Sequence, residues 1–475
     1  MISSFSPKTL GPTTVGIRRV VIAGAGIAAL GVALYRAPVW LEVWNAGAVV
    51  GAIVAAATVL VLAIGVAVRG SASAVERVAM EMALLACALI VAETILLLRA
   101  PESWSDNPLV PRIVARERAA REQGLAYDAR LRAEVVDDLQ ARGLDAVPSF
   151  AGSRHADPAV ANAIRERDLL PLSNVANVLV VACNEGTGYL KFRSDQFGFN
   201  NPPGVSAGPI DIAVIGESLA LGHCVRPSTS AVDRVRARFP RTANFGVAGS
   251  RVLSQLGVFR EYVEPLEPAV VVWFVNLDYA EPQDESGQPM LMRYLNDASF
   301  SQGLSQRQRD VDSFVREVMV PLSVQGDRAL REELEGPPAF PFERFIKLSE
   351  VRSVIDLGAA ARRPAEAQVP DLADFERAVE RVAETAGEWG GRVIVVILPS
   401  YGLSVGRSLA MTRYDAVSDV LSQSAVAVVD GPALFAEEPD DLRLYTLSMD
   451  NHPSERGHAV LGEAVIAAID SRGQP

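Results

Sequence analysis

Cysteine is nearly absent, with three residues in 475. So few cannot form a dense disulfide scaffold. Histidine numbers only four, and no H-x-x-x-H or C-x-x-C spacing occurs. No metal cluster and no cofactor are therefore expected. Positive charge is outweighed, 45 Lys and Arg against 57 Asp and Glu, a net charge of −12. An acidic chain lacks the field that phosphates require, which excludes nucleic acid as a partner. No internal repeat with a period of 20–50 residues is present. Disorder is also excluded, because 49% of the residues are hydrophobic.

That hydrophobicity is concentrated rather than spread. Mean hydropathy is +0.19. Val20–Tyr35 is a run of 16 apolar residues, Ala46–Val68 a run of 23 without charge, and Ala79–Leu98 a run of 20 broken by Glu81 and Glu93. A bilayer core takes about 17–25 residues per helix, so three transmembrane helices are expected. Lys8, Arg18 and Arg19 precede the first run, and Arg69 and Arg77 separate the second from the third. The positive-inside rule puts both segments in the cytoplasm and everything after about residue 100 on the far side. A cleaved signal peptide is the rival reading of the first run. Gly24-Ala-Gly26 within it imitates a dinucleotide-binding turn. The uninterrupted apolar stretch around it instead fits a membrane helix with small residues at helical spacing.

Arg112–Arg142 is rich in Arg, Glu and Ala, the composition of a solvated helix, and reads as a stalk. From residue 209 the pattern changes. Ile212–Gly216, Val270–Val275, Val393–Leu398 and Ala425–Val429 are apolar, β-branched runs. They alternate with helical segments at Ala231–Arg238, Phe375–Trp389, Met411–Gln423 and Ser454–Ile469. Unbroken apolar strands between helices predict a parallel sheet covered on both faces. Such sheets carry their sites at the C-terminal ends of the strands.

Four blocks stand at those ends. Gly216-Glu217-Ser218 follows the first strand, with a hydroxyl at a helix start beside free backbone N–H groups. Asn244-Phe-Gly246-Val-Ala-Gly249 offers an unobstructed N–H. Asn276-Leu-Asp278 ends the strand at 270–275 and offers an amide donor. Asp450-Asn-His452-Pro453-Ser454 stands before the last helix, where the Asp can hold the imidazole tautomer and the His can accept a serine proton.

In this order the blocks resemble the SGNH (GDSL-type) hydrolases over about residues 205–470. The ending Asp-x-His-Pro-Ser-x-x-Gly-His is the most specific part. The resemblance implies an α/β fold, a flavodoxin-like three-layer sandwich around a central parallel sheet, and acyl transfer from an ester. It implies Ser218 as nucleophile, His452 as general base and Asp450 as its orienting acid. Gly249 and Asn276 would complete the oxyanion hole. Two positions depart from the family pattern: Glu217 stands where the family has Asp, and the third block leaves either Asn276 or Asp278 in the amide place. Removing one oxyanion donor costs on the order of 10²–10³ in rate.

Cys183-Asn-Glu-Gly and Phe197-Gly-Phe-Asn-Asn-Pro resemble the membrane-anchored subset of that family, which acts on exported or cell-surface glycans. Cys183 and Cys224 both fall beyond the membrane, where an oxidising compartment favours pairing; two buried free thiols are the alternative. The polar segment 296–370 reads as a lid or a partner-binding element.

The expected organisation is a membrane region over 1–100, a charged stalk and lead-in over 101–204, and an SGNH-like domain over 205–475. The expected function is a Ser-His-Asp esterase or O-acyltransferase, multi-pass in the cytoplasmic membrane with its domain on the periplasmic side. Its partners are the lipid bilayer and an acylated glycan or other ester. The alternative is a catalytically impaired glycan-binding or assembly protein of the cell envelope. Acyl group, glycan and oligomeric state are left open.

Overall fold

A computed structural model describes residues 86, 88–97, 105, 107–186, 188–281, 285, 287–336, 344–345, 347–349, 351, 370–449 and 452–471. The apolar runs at 20–35 and 46–68 lie outside these residues. Of the third run, 86 and 88–97 are described, as helix. Among the described residues no helix is long and apolar enough to cross a membrane. The chain divides into two compact units, one of 1–111 with 333–364 and one of 112–332 with 365–475. In the first, the buried Glu93 carboxylate accepts the Val351 N–H at 2.7 Å.

The second unit is built on five parallel strands: β4 (Ile212–Gly216), β5 (Thr242–Gly246), β6 (Val270–Val275), β7 (Arg392–Ile397) and β8 (Ala427–Asp430). They lie in the order β5-β4-β6-β7-β8. The chain winds one way from β4 to β5 and the other way into β6. The crevice between β4 and β6 is thus the switch point, where α/β sheets of this order bind ligands.

The continuous apolar runs resolve into two sets by the period of two that a strand imposes. Ala213, Ile215, Val271, Trp273, Val393 and Val395 feed one core, which also holds α5 (Val252–Val258) and α6 (Ala373–Glu388). Ile212, Val214, Val272, Phe274, Ile394 and Val396 feed the other, with α4 (Ala231–Arg238) and α7 (Glu455–Asp470). Two buried faces explain why these strands do not alternate polar with apolar. The result is a three-layer α/β sandwich with flavodoxin-like strand order.

The boundary expected at residue 205 moves. The globular unit begins near Arg112, and the segment read as a stalk is part of it. In α2 (Arg132–Ala141), Ala133, Val135, Val136 and Leu139 are buried. Val135, Val136 and Leu139 pack against Ala146 and Val181 of a small sheet of β1 (Ala146–Pro148), β2 (Leu179–Val181) and β3 (Lys191–Arg193). Phe150, Ile164, Leu169 and Phe199 join the main core. Charges at intervening positions hide this apolar set from composition. Within the segment 296–370, expected as a lid or a partner-binding element, 308–335 is helical, and Val311, Phe314, Val315 and Met319 are core residues.

Candidate active site

Strand pairing sets Gly216 level with Gly246 and Phe274. The blocks after β4, β5 and β6 therefore emerge side by side at one edge. Gly216 turns the chain at φ +147°, and a Cβ there would lie 2.8 Å from Phe274 O. The four-residue helix α3 (Ser218–Leu221) follows at once, closed by Gly222 at φ +83°. Gly246 lets that helix approach, since a Cβ would lie 2.4 Å from Leu221 N. The Asn244 side chain locks the two together, donating to Ala220 O at 2.7 Å and accepting the Gly246 N–H at 2.8 Å. Asn200 adds a bond from its amide to Leu221 O at 2.9 Å, and Asn201 one to Asn244 O at 2.8 Å. The motif at 197–202 thus braces the Ser218 turn.

His452 is placed by the entry into α7. Its carbonyl accepts the Thr446 N–H at 3.0 Å, Ser454 N donates to Leu444 O at 2.6 Å, and Ser454 caps the helix through the Gly457 N–H. His452 Nε2 lies 2.7 Å from Ser218 Oγ, across 234 residues of sequence. On the other side of the ring, Nδ1 lies 3.1 Å from Glu185 Oε1, and the His452 N–H donates to Glu185 Oε2 at 2.9 Å. Glu185 is buried and also pairs with Arg116 at 2.5 Å. Among the described residues the carboxylate on Nδ1 is thus Glu185. Asp450, expected in that role from its spacing, lies outside them.

Burial alone would raise the Glu185 carboxyl, but the facing His452 and Arg116 reverse that and hold it at about 2. Burial likewise pulls His452 down, and Glu185, then Glu217, more than offset it, so His452 sits above its ordinary 6.5.

Cys183 and Cys224 form a disulfide, with Cα atoms 5.4 Å apart. It ties the loop that carries Glu185 to the loop that follows Ser218. Cys224 Sγ is 3.9 Å from His452 Nδ1. His223 stacks edge-on against His452 at 5.0 Å and is pushed down to about 3, by burial first and then by His452. Two groups bring metal-type ligand atoms within 4.8 Å: Cys183, His223 and Cys224, and Glu185, Cys224 and His452. Both include a sulfur of the disulfide, which offers no thiolate.

Glu217 takes an unexpected position. Its carboxylate folds back over the start of α3, accepting from Ser218 N, Ser218 Oγ and, at 3.3 Å, Leu219 N. Ser218 Oγ has one proton and two partners. With that proton on Glu217, the contact to Nε2 is met by an Nε2–H.

Gly249 has φ +66°, and no hydrogen bond engages its N–H among the described residues. Asn276 accepts the Asp278 N–H through Oδ1 at 2.9 Å, which leaves Nδ2 to donate elsewhere. Asp278 is exposed and pairs with Arg413. Of the two residues considered for the amide place, the carboxylate thus has its charge engaged by Arg413. His458 stands apart from this chemistry. It is fully buried, and its Nδ1 accepts the Ala231 N–H at 3.1 Å, closing the first turn of α4. His155 is bound to Pro171 O at 2.9 Å in the core.

Sequence reasoning missed Glu185 and the inward fold of Glu217. The available signal for Glu185 was its place two residues after Cys183, whose partner stands six residues after Ser218.

Fold and site together define a parallel α/β protein with a serine–histidine–glutamate constellation at the C-terminal sheet edge. No family model and no curated protein matches the chain. Among solved structures it is similar to a member of the lipolytic protein G-D-S-L family from Veillonella parvula DSM 2008. There the identity is 11% and the TM-score 0.29, covering 55% of this chain and 99% of that one. It is also similar to an alpha/beta hydrolase enzyme from the metagenome of Lake Arreo, Spain, at 13% identity and TM-score 0.29, covering 55% and 94%. A catalytic mutant of an acetylxylan esterase from Geobacillus stearothermophilus gives 14% identity and TM-score 0.29, covering 54% and 93%. Likenesses this distant assign no residue, and the roles below rest on the geometry.

Proposed function

We propose that this chain is an SGNH-type serine esterase or O-acyltransferase. The observation that carries the reading is Ser218 Oγ 2.7 Å from His452 Nε2, with Nδ1 of the same ring 3.1 Å from Glu185. A hydroxyl, a base and an orienting carboxylate in line at the switch point are the parts that nucleophilic acyl transfer requires.

The step begins when His452 is neutral and Ser218 turns its proton from Glu217 to Nε2. Oγ attacks the ester carbonyl, Nε2 takes the proton, and the carbonyl electrons move onto its oxygen. Ser218 N–H, Gly249 N–H and the Asn276 amide are the proposed donors to that oxyanion, the first once Glu217 has withdrawn. Collapse expels the alkoxide, which takes the proton from His452 and leaves an acyl-enzyme. Water then completes hydrolysis, and a sugar hydroxyl completes transfer. Glu185 is the positioning residue that fixes the tautomer.

The proposal extends to the setting. The apolar runs before residue 100 anchor the chain in the cytoplasmic membrane, with the site on the extracytoplasmic side. The substrates are O-acyl groups of exported or cell-surface glycans. One observation favours a second reading, an impaired glycan-binding or assembly protein: the Glu217 carboxylate holds both the O–H and the N–H of Ser218. Hydrolysis of 4-nitrophenyl acetate by the purified protein decides between them. Turnover abolished by Ser218→Ala supports the esterase. No turnover in folded wild type, and none after Glu217→Ala, supports the second reading.

A further inference from the structure

The segment after β1 lies against the back of the Gly249 block. Gly152 N donates to Ala248 O at 2.9 Å, and a Cβ on Gly152 would lie 2.8 Å from Ser250 Cα. Ser250 in turn donates to Gly216 O at 3.2 Å. On its other side the segment walls a cavity of about 70 Å³, lined among others by Arg132, Ser149, Phe150, Arg154, Met319 and Ser323. That exceeds the ~30 Å³ share of one water and suits a carboxylate- or sulfate-sized group.

Its electrostatics are one-sided. Two arginines line the cavity and no acid does, in a chain of net charge −12. Arg132 is held by Ser323 Oγ at 2.7 Å and by Ser149 O at 3.4 Å, and Asp327 lies 3.5 Å from its Nε. One of the two charges therefore has a counter-ion nearby. Arg154 is half-buried, and its guanidinium makes no hydrogen bond or ion pair with any described residue. The opposite wall is a π-helical turn, Val315–Met319, within the helix over 308–335. Such turns are rare and are frequently found at functional sites.

We propose that this cavity is a subsite for an anionic group on the substrate that carries the ester. A guanidinium without a partner among the described residues, in a recess behind the Gly249 block, would gain a charge-assisted, bidentate partner there. A uronic acid carboxylate and a sulfate share that chemistry. The inference rests on the acyl-transfer reading and names the substrate class for the same site: an O-acylated acidic glycan.

The test is calorimetric binding to full-length Ser218→Ala protein, which holds ligand without turnover. The probes are a tetra-uronate oligosaccharide, a sulfated tetrasaccharide and neutral xylotetraose. Tighter binding of one acidic probe than of the neutral one by about tenfold or more, lost in Arg154→Ala, is the expected result. The tighter acidic probe identifies the anion. A thermal melt of Arg154→Ala overlaying the parent shows that the loss is not unfolding. Equal binding of all three probes, or acidic preference that survives Arg154→Ala, overturns the subsite. Turnover of 4-nitrophenyl acetate without acidic preference sinks the subsite alone. Arg154-dependent acidic preference without turnover sinks the esterase reading alone.

Discussion

Glu185 Oε1 lies 3.1 Å from His452 Nδ1, and Glu185 Oε2 accepts the backbone N–H of the same histidine. One carboxylate thus fixes both the ring and the chain that carries it. Glu185→Gln keeps the shape but removes the charge and the preference for the Nδ1–H tautomer. We expect kcat for 4-nitrophenyl acetate to fall by on the order of 10²–10⁴, with KM little changed. A loss of less than threefold would show that Glu185 does not orient the base.

The pH profile follows from the same pair. His452 is raised above 6.5 and must be neutral to accept the serine proton. Esterase activity should therefore rise with pH through a midpoint above 6.5, and Glu185→Gln should move that midpoint down. Stability has the opposite dependence on this group. A raised histidine stabilises the fold below its unfolded pKa, and the effect is lost as pH climbs through the folded value. Glu185, held near 2, stabilises above its ordinary 4.5 and loses that contribution as pH falls toward 2. A kcat/KM profile with its acid limb below pH 6 contradicts the assignment.

Glu217 covers the N–H groups of Ser218 and Leu219. Glu217→Ala removes an N-terminal cap, costing about 1 kcal/mol in a denaturant titration. It also frees an oxyanion donor and takes a negative neighbour from His452. Activity should rise by up to about tenfold, against the 10²–10³ that one donor is worth, and the acid limb should move down. Unchanged or lower activity in a folded variant would mean that Glu217 does not block the site.

The disulfide joins the Glu185 loop to the Ser218 loop across 41 residues. Reduction, or Cys183→Ala with Cys224→Ala, should cost about 2–4 kcal/mol of stability. It should lower kcat more than it raises KM, because it loosens the positioning of His452. Alkylation of the unreduced protein followed by peptide mapping should leave both residues unmodified. Two labelled thiols would contradict the bridge.

The sheet was legible because β-branched runs at 212–216 and 270–275 have no other reading at that length. Ser218 and His452 were legible because each stands where such a strand or a capped helix begins or ends. The sequence around α2 was not, since Asp137, Asp138 and Arg132 flank Val135, Val136 and Leu139 and give the segment a solvated composition. Glu185 was not, because its one signal, a place two residues after Cys183, points to the site only once the Cys183–Cys224 pairing is known. Its approach to His452 depends on a disulfide and on Arg116, both fixed only by folding. The inward turn of Glu217 depends on one extra methylene and on free amides at α3.

The account stands on Ser218 as a nucleophile activated by His452. The most direct measurement is labelling of the purified protein by a fluorophosphonate, with the adduct mapped by peptide mass spectrometry. The account predicts a single adduct on Ser218, formed in the wild type and lost in Ser218→Ala and His452→Ala. Labelling of Ser218→Ala at the wild-type rate, or no adduct on Ser218 in folded wild-type protein, would contradict it.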